Sequence, residues 1–272
     1  MMKFKSPGLS PIALTMLAVV CLNATAEEAV VSGEDLTQPI DRFDIRMQFK
    51  SLPDAPLASG GTINDVSEET LTLRTDLLFF KKPDQLSLRF DLPLIWTNKP
   101  EKDNPGASTD FGLGDILMQA IYVREIDSRW AAGIGMQTLL PTATGDGQGT
   151  GKWQLVPTLG VRASLPEISP GSYAGVILRQ YNSVAGSSSR KNINNTGIEP
   201  QLNIGLPDRW FLNTSPKLIY NRTTGDWFVP LDLMIGKKFG ERWIASIEYQ
   251  FGLVRDYDSY DEWVEARLGY YF

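Results

Sequence analysis

The sequence predicts an all-β fold: a transmembrane antiparallel up-and-down β-barrel of about 12 strands, following a cleaved signal peptide. Three observations predict it. Apolar residues recur at every second position along most of the chain, connections alternate between short and long, and the tryptophans sit at the ends of the alternating segments. A strand turns successive side chains to opposite faces, so such a segment has one apolar and one polar face.

The N-terminus carries Lys3 and Lys5, then an apolar run from Pro11 to Leu22, then Ala24-Thr25-Ala26 as a small-x-small cleavage pattern. Residues 1–26 are therefore expected to be a signal peptide, 27–42 a short periplasmic N-terminal segment, and 43–272 the barrel. Cys21 follows Val20, where a lipoprotein signal needs a small residue. It is the chain's single cysteine, so cleavage after Ala26 leaves nothing for a disulfide.

Period-2 alternation places candidate strands near 43–50, 69–80, 86–96, 112–126, 130–141, 152–164, 173–185, 193–206, 210–221, 227–238, 243–254 and 262–272. The third is the clearest, with Leu86, Leu88, Phe90, Leu92, Leu94 and Trp96 on one face. In the seventh, the inward face is not assignable from the pattern. Short connections at 81–85, 127–129, 207–209 and 239–242 take turns with longer polar ones at 51–68, 97–111, 142–151, 186–192 and 255–261. Bacterial barrels alternate short periplasmic turns with longer external loops, which puts both barrel termini on the periplasmic side.

Trp130, Trp210 and Trp243 each follow an arginine after a short turn, while Trp96, Trp153, Trp227 and Trp263 lie beside long loops. Indole favours a membrane interface, so two aromatic girdles are expected. A secreted β-sandwich also alternates, but its core takes the apolar faces and leaves charges in water. Girdles and charged inner rows argue against it. The last strand places Val264, Ala266, Leu268, Tyr270 and Phe272 on one face. Ending in Phe272, it resembles the assembly signal of bacterial outer-membrane barrels, which makes Phe272 the candidate signal read by the barrel-assembly machinery.

Phe111-Gly-Leu-Gly-Asp115, Leu139-Leu-Pro-Thr-Ala-Thr-Gly-Asp146 and Gly149-Thr-Gly-Lys-Trp153 resemble motifs of the MetA-pathway of phenol degradation family of outer-membrane proteins. The resemblance covers about the middle third by motif and the whole mature chain by strand rhythm. It implies a barrel associated with uptake of aromatic or other hydrophobic compounds, and it implies no catalytic residues.

Composition narrows the chemistry. The chain has 26 basic and 32 acidic residues, and the acid surplus argues against nucleic acid as a partner. It has no histidine, which removes Ser–His hydrolase mechanisms and makes zinc or copper sites unexpected. No catalytic residue, cofactor or metal is expected. Gly145-Asp-Gly-Gln-Gly-Thr-Gly-Lys152 departs from a phosphate-binding loop at Asp146 and Trp153. Thr142, Gly145, Asp146, Gly149 and Gly151 are instead candidates for a glycine-rich loop folded over the pore mouth. The carboxylates of Asp256–Glu262 are expected in a solvated loop, with a divalent cation as the alternative.

The inward rows supply the candidate lumen lining. The first three strands give Arg46, Arg74, Asp76, Arg89 and Asp91, and the next three give Asp115 and Arg162. Glu199, Gln201, Lys217, Glu248, Gln250, Glu265 and Arg267 complete the set. Cross-strand charge pairs filling a narrow lumen are one expectation, and an aqueous path is the other. Leu117, Leu139 and Phe228 are the apolar positions that a hydrophobic solute would need. The function this implies is a passive outer-membrane channel or carrier for small molecules, hydrophobic or aromatic ones included, surrounded by lipid and lipopolysaccharide. The rival is a structural or adhesive barrel with a blocked lumen.

Overall fold

The computed structural model describes residues 30–57, 59–257 and 259–272. The predicted signal peptide lies outside the described residues. Twelve antiparallel strands close into one barrel. They are β1 (Arg42–Leu52), β2 (Val66–Phe79), β3 (Asp84–Thr97), β4 (Asp110–Leu113 and Ile116–Glu125), β5 (Trp130–Leu140) and β6 (Lys152–Ser164). The second half is β7 (Tyr173–Gly186), β8 (Asn194–Gly205), β9 (Trp210–Thr214 and Leu218–Asn221), β10 (Trp227–Phe239), β11 (Trp243–Arg255) and β12 (Glu262–Tyr271). Each strand pairs with its sequence neighbours, and β1 pairs with β12 from Arg42↔Tyr271 to Ser51↔Glu262 to close the ring. Closure leaves no edge strand whose backbone groups would face hydrocarbon.

Two strands break where the alternation weakens. In β9 the interruption falls at Pro216, which has no N–H for the ladder. In β4 it falls at Gly114–Asp115, where a Cβ on Gly114 would meet the Ile95 side chain at 2.6 Å.

The burial pattern is inside-out. On β1, Phe43 and Ile45 are each 41% exposed, while Asp44 and Arg46 are 0% and 4% exposed. The same phase repeats with Leu88 and Phe90 outside on β3, Leu231, Leu233 and Ile235 on β10, and Ile247 and Tyr249 on β11. Water-soluble monomers rarely expose a contiguous apolar patch beyond about 300–600 Å². A belt running around the whole barrel suits hydrocarbon. The seventh strand takes the same phase, with Tyr173, Ile177 and Arg179 inside and Leu178 outside.

Six tryptophans keep the girdle positions. Trp243 packs edge-on against Tyr270 at 4.9 Å, and Trp96 tilts onto Phe111 at 4.7 Å. Trp263 departs from the expectation: it shares the face of Glu265 and points into the lumen.

Residues 30–41 of the N-terminal segment fold into the short-turn end of the lumen, and β1 begins at Arg42. Val30 packs against Phe211, Met234 and Ile244. Leu36 sits against Gly133 and Gly160, where a Cβ would come within 3.0 and 2.9 Å of its methyl group. The segment's carboxylates meet buried arginines, and those contacts draw it inward.

Candidate functional site

Above the N-terminal segment the lumen holds a cavity of about 490 Å³. That lies within the size range of small-molecule sites, about 300–1,000 Å³. Charged side chains reach it because alternation turns every second residue of each strand inward. Arg46, Arg74, Arg89, Asp91, Glu199, Gln201, Lys217, Glu248, Gln250 and Glu265 line it. Leu117 and Leu139 also line it, joined by Ile177 and Leu36 to make an apolar strip.

Asp76, Arg162 and Arg267 lie below the cavity, toward the short-turn end, in an ion-pair network. Arg42 reaches Asp76 at 2.6 Å, and Arg89 reaches the other oxygen of Asp76 at 2.9 Å. Arg267 pairs with Asp44 at 3.1 Å and Glu34 at 2.6 Å, while Arg46 pairs with Glu34 at 2.8 Å and Glu265 at 2.9 Å. Arg162 pairs with Asp35 at 3.2 Å and donates to Gln38 at 2.9 Å. Burial alone would raise the Glu34 carboxyl, yet Arg46, Arg267 and Arg42 outweigh it and hold Glu34 far below the usual range. For Asp35 burial wins over Arg162, and its carboxyl is pushed up.

The cavity wall is uneven in charge. Arg46 and Lys50 on β1, Arg74 on β2 and Arg89 on β3 make a basic sector. Glu248 on β11 and Glu265 on β12 make an acidic one, backed by Asp232 on β10. Arg74 holds Asp91 through two bonds of 2.8 and 2.7 Å. Arg179, opposite on β7, pairs with Glu199, and Lys217 lies 4.0 Å from the same carboxylate.

Three groups fall elsewhere than the rows imply. Asp115 sits at the break in β4 and leaves the lumen lining, accepting from the Thr150 N–H at 2.7 Å and the Ala143 N–H at 3.3 Å. Phe228 is buried beside Tyr260 instead of forming part of an apolar path. The glycine-rich loop packs against neighbouring long loops, the Asp146 N–H donating to Asp103 Oδ2 at 2.7 Å. Thr142 caps the β4 break through Gly114 O at 2.9 Å, while Gly145, Asp146, Gly149 and Gly151 line a separate pocket of about 430 Å³. Arg190 clasps that loop through the carbonyls of Asp146 and Gly149 and pairs with Glu101 at 3.3 Å. None of these loop residues lines the lumen cavity.

Among the lining residues that the sequence reading missed are Glu34, Leu36, Arg179, Ser259, Tyr260 and Trp263. Parity with Glu265 and Arg267 would have placed Trp263 inside. The loop and N-terminal residues carry no periodic signal.

Several solved structures share this architecture. The COG4313 outer membrane channel from Pseudomonas putida F1 matches with a TM-score of 0.67 at 12% identity, covering 92% of this chain and 100% of that one. The NanC porin matches with a TM-score of 0.55 at 12% identity, covering 85% and 98%. The KdgM porin matches at 0.51 and 9%, covering 85% and 99%. At these identities the likeness shows the fold alone. No family model and no curated protein matches the chain.

Proposed function

We propose that the protein is an integral outer-membrane channel for passive passage of small solutes, without enzymatic activity. The observation that carries this is the cavity of about 490 Å³, with charged sectors and an apolar strip in the same wall. The lining matches solutes that combine a charge with an apolar body, such as aryl or alkyl carboxylates. Arginine guanidinium groups bind carboxylates well, and Leu117, Leu139 and Ile177 offer the body a dry surface. The motif resemblance to the MetA-pathway of phenol degradation family points to the same solute class. Channels and porins among the structural neighbours support the transport reading. The lack of histidine supports the non-enzymatic one.

A blocked, non-transporting barrel is the second reading. Residues 30–41 at one end of the lumen and Tyr260 near the other favour it. Proteoliposomes loaded with benzoate or with a neutral pentose separate the two. A channel releases both, benzoate faster. Retention of both by a folded barrel would overturn the channel reading.

A further inference from the structure

In the last long loop the described residues 256, 257 and 259–261 lie over the lumen, with Ser259 and Tyr260 entering it, although the loop's composition reads as a solvated acidic turn. Three attachments hold it over the mouth. The N–H groups of Asp256 and Tyr257 donate to Trp227 O at 3.0 and 3.1 Å. The Tyr257 hydroxyl accepts from Asn195 Nδ2 on β8 at 3.2 Å. The Asp261 N–H donates to Ser51 O on β1 at 2.8 Å. The loop is thus fixed along an arc of rim from β8 to β1. Between these attachments Ser259 and Tyr260 drop into the cavity, and among the described residues no other external loop contributes to its lining.

Tyr260 is held at both ends of its side chain. Its ring packs edge-on against Phe228 with centroids 4.8 Å apart, and Trp263 follows at 6.4 Å. Its hydroxyl donates to Gln250 Oε1. The Gln250 amide nitrogen donates to Asp232 Oδ2 at 2.7 Å and to Glu248 Oε1 at 2.5 Å. Two acceptors on the nitrogen leave the amide oxygen facing the tyrosine, so the phenol is bound as a donor. A half-buried aromatic ring packed on Phe228 with a satisfied hydroxyl is a more rigid obstacle than a solvated loop side chain.

We propose that Tyr260 is the size-selecting residue of the lumen, a fixed aromatic wedge delivered by the last loop and positioned by Gln250. This rests on the channel reading. The wedge and Trp263 form one aromatic wall beside Glu248, so flat solutes slide past it and bulkier ones stop there.

Single-channel conductance, and release of a pentose and a disaccharide from proteoliposomes, test this with wild type, Tyr260→Ala and Tyr260→Cys. Heat-modifiable migration first confirms that each variant is a closed barrel. Wild type should pass the pentose and retain the disaccharide. Tyr260→Ala should conduct more and lose that cut-off. Tyr260→Cys should widen likewise and narrow again when a bulky methanethiosulfonate is attached, while the same reagent leaves wild type unchanged. If wild type conducts and neither variant alters conductance or cut-off, Tyr260 is not the constriction, although the channel reading survives. If neither wild type nor the variants pass ions or solutes, the channel reading fails and this inference falls with it.

Discussion

Arg46 on β1 donates to Glu265 on β12 at 2.9 Å, diagonally across the seam where the first and last strands close the barrel. Gln48 reaches the other oxygen of the same carboxylate at 2.6 Å. The seam is therefore held by side chains inside as well as by the backbone ladder. Replacing Glu265 with Ala should destabilise the folded barrel by about 1.5–3 kcal/mol, the usual contribution of a hydrogen bond to a charged group. Arg46 keeps Glu34 and Asp44, so the loss stays at that scale. Urea unfolding in lipid, with an Arg46→Met/Glu265→Met cycle, measures it. A coupling near zero would show that the seam does not depend on this pair.

The inside-out phase gives a second prediction. Leu88 is 38% exposed on the outer face, whereas Gln137 is 6% exposed and lines the cavity. Leu88→Arg should cost about 2–4 kcal/mol, because the charge meets hydrocarbon near the midplane. Gln137→Arg should cost much less, since its new charge reaches a polar lumen. Ser87, the nearer inward neighbour, is packed among Leu36, Arg42 and Asp76 and makes a poorer control. Equal destabilisation of the Leu88 and Gln137 variants in urea titrations would reverse the assigned faces.

The docked N-terminal segment predicts a pH response. Glu34 titrates far below its ordinary value, so its ion pairs are present at neutral pH and are lost only when pH falls through that depressed value. Asp35 has the opposite sign: its raised value means that acidification relieves the cost of burying its charge. Mild acid should therefore leave the segment docked. Conductance at pH 5 should not exceed that at pH 7, and an increase would mean that acid releases the segment. Glu34→Gln, which removes one carboxylate partner from each of Arg46 and Arg267, should increase proteolysis within residues 30–41.

The glycine-rich loop should matter to the rim and not to the flux. Its composition suggests a lid, and deleting Ala143–Thr150 would then raise conductance. In the structure Arg190 and Asp115 hold the loop, and none of its residues lines the lumen cavity. Arg190→Ala should make residues 142–151 more susceptible to protease while conductance stays at the wild-type level. A clear rise in conductance would restore the lid.

Much of this fold was legible because one physical rule dominates it. A barrel wall with lipid outside and polar groups inside forces period 2 onto every strand, and strands such as Leu86–Trp96 carry that period without interruption. Most of the lumen lining follows from the same parity. The parts that were not legible depend on contacts distant in sequence. Nothing local in Val30–Asp41 says that Glu34 will find Arg267, 233 positions away. Tyr260 lies in a loop rich in carboxylates, and its inward course is set by Asn195 and Ser51. Trp263 shows two rules in conflict: its place at a strand end suggests a girdle, while its parity places it inside. Parity prevailed, since reversing one residue would reverse its whole strand.

Single-channel recording of the purified, refolded protein in planar lipid bilayers tests the central claim most directly. An open lumen gives stepwise insertion of discrete, reproducible conductance units, raised by Tyr260→Ala and unaffected by Arg190→Ala. A heat-modifiable barrel that inserts and passes no current, with or without residues 30–41, would contradict it and leave the blocked barrel as the reading.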